Sequence, residues 1–342
     1  MNTENNDLSP IEAMTNAITD IGLPEPIKKN FFKAMGQLCT SAIEVPAAYL
    51  DGIAAERRAE THARIKLIEK SANQIAAQME FDPEYAKLAV KKFGQKIIRE
   101  QVNLDLITSK ATKDIQISFQ EKEDTTSQSE EKTISDDWLN TFEKEASQKS
   151  TEEMQTLFAR ILAGEIKSPE SYSIKALKTL GDLNSEVANL FAKFCSCCMV
   201  LQVPSTNNSS HIIDARICSL GGNAGSNNLQ SYGFSFSNLN LLHEYGLIIP
   251  DYNSWMNYHM AILLNQPILP FSISKRYWAL IPTPEAKEKI ELKITGVALS
   301  QVGKELYSIV DTIINDQYIS SLSDYFNTLD LKLTDITENL RA

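Results

Sequence analysis

The chain has 342 residues, 43% hydrophobic and 23% charged, with 33 Lys and Arg against 44 Asp and Glu for a formal charge of -11. That is ordinary globular composition, enough for one large core or two modest ones, and it excludes a wholly disordered chain, a collagen and a disulfide-built miniprotein. The acidic balance argues against wholesale coating of nucleic acid or of an anionic membrane, while leaving room for a local basic face.

The polar, acidic start Met1-Asn2-Thr3-Glu4-Asn5-Asn6-Asp7 lacks the basic patch and apolar core of a secretory signal. The most apolar stretches, Leu190 to Val203 and Met260 to Ile273, fall short of the roughly 20 residues that span a bilayer. The expectation is a cytoplasmic protein without a membrane span. Five cysteines (Cys39, Cys195, Cys197, Cys198, Cys218) lack framework spacing and read as buried free thiols. Cys195, Cys197 and Cys198 cluster, but nothing in their spacing demands a metal.

The first third reads as helical. From about Ala47 to Glu80 good helix formers dominate, and Ile65, Ile68, Ala72, Ile75 and Met79 recur in steps of 3 and 4, as in a coiled-coil seam. Asp82-Pro83-Glu84 is a helix start, with a cap, a proline at the first position and an acid at the positive end. The spacing predicts a helix from Pro83 to about Phe119, with Tyr85, Leu88, Ala89, Phe93, Ile97, Leu104, Ile107, Ala111 and Ile115 on its buried stripe. Two such arms, each about 50 Å long at 1.5 Å per residue, would form a helical hairpin. Gln120 to Ser135 is polar and acidic and reads as a flexible linker.

Structure resumes at Asp136-Asp137-Trp138. Ser150-Thr151-Glu152-Glu153 fits a capping box opening a helix to about Ala163, with Gly164 as its stop. Helices are expected from Ser173 to Leu180 and from Ser185 to Val203, then a loop from Asn207 to Gly233 with one short strand. Farther on, Leu239 to Tyr245 is a short helix, followed by Gly246-Leu247-Ile248. Tyr277 to Ile281 and Ile290 to Thr295 read as two strands, and Ser300 caps a helix through Leu306 with Gly303 at its third position. This order resembles a winged helix, with Ser300 where that superfamily has Thr and an insertion from about Tyr252 to Ser274. The expected organisation is therefore mainly α: a helical hairpin or bundle at 1–119, a linker at 120–135, and a helical lobe at 136–342 with a winged-helix-like part.

The stretch Asp137-Trp138-Leu139, then Glu152 through Ile166, then Pro169-Glu170-Ser171-Tyr172-Ser173, Leu177 and Leu180, resembles the bacterial domain of unknown function 2806 family. Ala55 to Glu60 and Gln101 to Ile107 resemble its amino-terminal half. Glu170 departs from the glycine the resemblance implies after the proline. A remoter likeness is to the abortive-infection alpha family. The resemblance implies a bacterial, mostly helical protein suspected of a role in phage defence, and supplies no reaction, cofactor or catalytic residue.

The four histidines (His62, His211, His243, His259) are isolated, and Gly221-Gly222-Asn223-Ala224-Gly225-Ser226 lacks the lysine of a phosphate loop. No catalytic, cofactor or metal residue is assigned. Trp138 is read as a core anchor, and Arg160 with Glu165 as a structural ion pair. Arg57, Arg58, Arg64, Lys91, Lys92, Lys96 and Arg99, with Lys66, Lys70 and Lys87 beside them, outnumber the acids of the hairpin. They form a candidate interaction face, read first as solvated helix surface and second as a nucleic-acid contact. Lys275 and Arg276 are the candidate wing contacts. The leading expectation is a non-enzymatic interaction protein, homo-oligomeric through its N-terminal helices. The alternatives are a winged-helix DNA-binding regulator and, behind it, a hydrolase or nuclease with an acidic site.

Overall fold

The computed structural model describes residues 23–39, 83–120, 132–204, 210–263, 268–284 and 291–338. The chain divides into two units, Met1–Leu177 and Lys178–Ala342. The expected arm at 47–80 lies outside the described residues, as do 121–131 of the expected linker.

In the first unit the described helices are α1 (Glu25–Leu38), α2 (Pro83–Gln120), α3 (Asp136–Ala146) and α4 (Glu152–Lys167). Helix α2 starts at the proline expected to open it, and Leu104, Ile107, Ala111 and Ile115 are buried along one face, but the first part of the expected stripe is not: Tyr85, Leu88, Ala89 and Phe93 are exposed and Ile97 is half-buried among the described residues. That face packs on α4, while α1 packs on α2, α3 and α4. Aromatic rings fill the centre: Trp138 stacks on Phe142 at 5.3 Å, and Phe142 meets Phe158 edge-on at 5.7 Å. Polar side chains tie the joints. Asn103 of α2 donates to the Ser147 carbonyl, and Gln101 donates to the Leu38 carbonyl at the end of α1.

Residues 132–135, expected to be linker, belong to this packing. The Asn30 amide donates to the Lys132 carbonyl and accepts from the Ile134 N–H, and Lys33 donates to the Ile134 carbonyl while pairing with Asp136. Ile134 is buried. Burial of one isoleucine pulls a polar stretch onto the bundle, which composition alone does not register.

Helix α4 differs from expectation at both ends. Thr151, not Ser150, is its cap, with Oγ1 accepting from the Met154 N–H. Gly164 does not stop it, and the helix runs on to Lys167. The glycine is there because the Tyr172 ring lies against it, where an added Cβ would come within 2.7 Å of the ring. Helix α5 (Ile174–Asp182) follows, and the division between the units falls within it.

The second unit overturns the expected fold class. It holds a seven-stranded antiparallel sheet, curled as a half-barrel, in the order β3-β6-β2-β1-β4-β5-β7. The strands are β1 (Met199–Pro204), β2 (Ser210–Cys218), β3 (Ser254–Asn257), β4 (Phe271–Ile273), β5 (Arg276–Pro282), β6 (Lys293–Ala298) and β7 (Leu331–Asp335). Helix α6 (Ser185–Cys197) ends well before Val203, and Met199 onward is strand. An unbroken apolar run has the same look in a buried helix and a buried strand. The expected loop after Asn207 contains β2, an interior strand.

A winged helix is not present. Its wing requires the strands near 277–281 and 293–298 to pair with each other. Instead β5 pairs with β4 and β7, β6 pairs with β2 and β3, and three strands separate the two. The local signals were nonetheless real. Helix α7 (Phe236–Glu244) is closed by Gly246 at φ 70°, Ile248 bridges Leu299, and Ser300 Oγ accepts from Gly303 N–H to cap α8 (Gln301–Tyr307). Helix α9 (Asp316–Asn327) packs beside β7. Lys275 sits with Ser274 in the tight β4–β5 turn, both at positive φ, as in the two-residue turn that matches strand twist.

Two substitutions test this packing. Gly303 abuts the Leu247 carbonyl, into which a Cβ would drive. Gly303→Ala is expected to destabilise the protein by about 1–3 kcal/mol through overpacking, read as a lower urea midpoint. Glu170 holds φ 71°, the left-handed region that costs a non-glycine residue about 1–2 kcal/mol. Its ion pair with Lys132 is exposed and worth little. Glu170→Gly is therefore expected to leave the thermal midpoint unchanged or raise it. A fall of several degrees would refute the strain argument.

Candidate functional site

Three places concentrate exposed or buried chemistry. The first is α2. Its stretch from Tyr85 to Arg99 contains basic residues and no acid. Lys91, Lys92, Lys96 and Arg99 are exposed, Lys96 lying 3.6 Å from Glu100. Arg57, Arg58 and Arg64 lie outside the described residues. Among these charges stand exposed apolar side chains: Leu88 and Ile98 at 65%, Val102 at 49% and Leu106 at 46%. Ile98, Val102 and Leu106 are spaced four apart and so share one face of the helix, opposite the buried stripe through Leu104 and Ile107.

The second is the turn after α4. Glu165 is only 2% exposed. Its Oε1 accepts from the Glu170 N–H at 2.7 Å and its Oε2 from the Tyr172 N–H at 3.1 Å. The Tyr172 carbonyl in turn accepts from Trp138 Nε1 at 2.8 Å. Burial pushes the Glu165 carboxyl up to about 7; the backbone donors pull against this, and the Glu170 charge adds to it. The expected Arg160–Glu165 pair is replaced by this arrangement. Five residues make about 1.4 helical turns, so the two side chains diverge. Arg160 instead acts on Asp114 of α2: burial raises that carboxyl, and Arg160 and then Lys167 oppose the rise.

The third lies inside the sheet. Asp214 and Arg216, two apart on β2, share a face. The guanidinium grips the carboxylate twice, Nε to Oδ2 at 2.6 Å and Nη2 to Oδ1 at 2.9 Å. Its Nη1 donates to the carbonyls of Ser254 on β3 and Ile294 on β6. The Tyr258 hydroxyl stands 2.8 Å from Asp214 Oδ2, and Lys304 of α8 donates to the Ile213 carbonyl. Burial by itself would lower the Arg216 pKa, but Asp214 holds it above the ordinary value. Burial and then Asp214 push the Tyr258 phenol well up. The cluster thus answers its buried charges with one another and with main-chain carbonyls. It links three strands and acts as a register lock.

The only signal for this lock was the alternation His211 to Cys218, which puts Asp214, Arg216 and Cys218 on one face; inside an Asn- and Ser-rich stretch it read as loop. Tyr258 and Lys304 carried none. Arg276 lies 4.0 Å from Asp335 of β7. All five cysteines are buried and unlinked, and burial raises Cys197 and Cys218 to about 12. Among the described residues no group of His, Cys, Asp or Glu is arranged to hold a metal ion, and no helix is long and apolar enough to cross a membrane.

These features define an α+β protein with a helical unit and an antiparallel half-barrel unit. A family model described as a protein of unknown function, DUF2806, matches residues 89–323, from α2 to α9, and the chain belongs to that family. No curated protein and no solved structure matches it, and the likeness to the abortive-infection alpha family finds no support.

The lock predicts a double-mutant result. Arg216→Met leaves Asp214 buried without its cation and is expected to cost about 3–5 kcal/mol in urea unfolding. Asp214→Leu combined with Arg216→Met removes both charges and is expected to cost less than Arg216→Met alone. Additive losses would show that the two residues act independently.

Proposed function

We propose that this chain is a non-catalytic interaction protein that self-associates through the outward face of α2 and serves as an adaptor or sensor. The observation that carries this reading is the exposed row Ile98, Val102 and Leu106, on a helix whose opposite face is already buried. Leaving three large aliphatic side chains in water on one face is unfavourable, and a partner that covers them gains about 25 cal/mol per Å² of apolar surface.

A second copy fits that face by charge. The stretch from Tyr85 to Arg99 is basic while the whole chain carries -11, so the rest of the chain is more acidic than that figure and complements it. The buried polar clusters support the non-catalytic part: Asp214, Arg216 and Glu165 are engaged with one another or with main-chain groups. Phage defence is the biological setting that the family resemblance suggests, and plating efficiency on a phage panel with and without the gene tests it.

Native mass spectrometry and sedimentation of the full chain test the association. The expected particle is a multiple of 38.2 kDa that dissociates more readily as salt rises. Ile98→Glu combined with Val102→Glu changes exposed positions only and is expected to shift the particle to a single chain while leaving the thermal midpoint within a few degrees. A wild-type particle of one chain at micromolar concentration, or a particle carrying nucleic acid, would end this reading.

A further inference from the structure

The first turns of α2 stand clear of the helical packing. Among the described residues from Glu84 to Arg99 none is buried, and a Cβ built on Gly94 would meet open space. These turns run for about 24 Å at 1.5 Å per residue. They carry Tyr85, Ala89 and Phe93 four residues apart, a row on the same side of the helix as the stripe buried farther on through Leu104 and Ile107. Tyr85 and Phe93 are 62% and 53% exposed, and Ala89 is exposed as well. An apolar row that later in the helix meets a core here meets water.

The charge on this segment has one sign. Tyr85 to Arg99 holds Lys87, Lys91, Lys92, Lys96 and Arg99 and no acid. Lys92 and Lys96 follow Ala89 and Phe93 by three residues, which sets them beside the row, and both are exposed. Glu100, 3.6 Å from Lys96, is the first acid after the stretch. The row is distinct from the one that the proposed association uses. Ala89 and Val102 are thirteen residues apart, about 140° around a helix of 3.6 residues per turn.

We propose that the first turns of α2 bind the surface of an anionic lipid bilayer, with Tyr85, Ala89 and Phe93 entering the headgroup boundary and Lys92, Lys96 and Arg99 meeting lipid phosphates.

Two properties select this partner. A run of cations without acids complements an anionic surface, and each cation near such a surface strengthens binding about fivefold. Exposed aliphatic and aromatic carbon is covered by the acyl boundary, whereas a nucleic-acid backbone contacts the cations and leaves Leu88 and Ala89 in water. The charge of -11 on the whole chain repels the rest of the protein from the same surface, so contact is confined to this basic segment.

Flotation of the full chain with vesicles tests this. At low salt the chain should float with phosphatidylcholine vesicles that contain about one third phosphatidylglycerol, and not with phosphatidylcholine alone. Lys92→Gln combined with Lys96→Gln should weaken binding about 25-fold, and Phe93→Ser about tenfold. All three positions are exposed, so the thermal midpoint should stay within a few degrees. The native mass of these variants without vesicles should match the wild type, so loss of lipid binding and loss of self-association are read separately. The five native cysteines are buried, so a polarity-sensitive dye on Ala89→Cys reports the row itself. Its emission should be that of a dye in water and shift to the blue when anionic vesicles are added. No flotation with the anionic vesicles, or equal flotation with both compositions, overturns the proposal. Blue emission before vesicles are added shows that protein already covers the row, and overturns it too. RNA bound more tightly than the vesicles at the same salt, and released by Lys92→Gln with Lys96→Gln, overturns it in favour of nucleic acid.

Discussion

A charged side chain taken out of water has to be answered on every polar atom, and in this protein the answer comes largely from the main chain. Arg216 binds Asp214 on its own strand and spends its remaining donors on carbonyls of β3 and β6, so strands far apart in sequence are held in one register. In the helical unit Glu165 does the complementary thing with acceptors, taking two N–H groups from the turn that follows its helix. The sheet pairing around β2 and the path of the chain after α4 both depend on such contacts. A one-residue slip of β2 would carry Asp214 and Arg216 to the opposite face and strand both charges.

The two anchors differ in chemistry. Asp214 has a guanidinium gripping both oxygens, so its charge is answered by a cation at hydrogen-bond distance. Glu165 has neutral donors and a like-charged neighbour in Glu170, and its burial outweighs the donors, so the carboxyl is raised to about 7 and holds its proton more tightly than an ordinary carboxyl. The first suits a fixed structural role. The second fixes the path of the chain after α4. Their separation also explains why isolated acids and histidines in the sequence pointed to no reaction: the important charges are recognisable only by what surrounds them.

Helix α2 poses a different constraint. It is long enough to bury one face along α4 and still carry large aliphatic residues on the other. With Lys91, Lys92 and Arg99 beside them, these residues make a surface with both apolar and electrostatic character. That combination is what gives the helix a reading as an association surface rather than a solvated one, and it belongs to the segment in which the family match begins.

Much of the helical unit was legible because its signals are local. Pro83 opens α2, the acids after Thr151 mark the start of α4, and the apolar stripe holds from Leu104 to Ile115, though it fails earlier in the helix, where Tyr85, Leu88 and Phe93 are exposed. Ser300 as a cap and Gly246 as a helix stop were equally legible, while the close approach of Gly303 to the Leu247 carbonyl was not. The sheet was not. Strand pairing joins residues tens of positions apart, and no local pattern says whether β5 meets β6 or lies three strands away from it. Met199 to Val203 could be helix or strand until β2 and β4 were beside it, and β2 itself was concealed among Asn and Ser. The partner of Glu165 was settled the same way. Helix geometry turns Arg160 aside, and the folding of Pro169 to Tyr172 back over Gly164 brings main-chain donors to the carboxylate. Sequence alone determined where elements begin, which faces are apolar and which family the chain resembles, since those depend on neighbours along the chain. Only the tertiary structure decided which strands pair and which charges meet, because those energies arise between groups that the chain brings together only on folding.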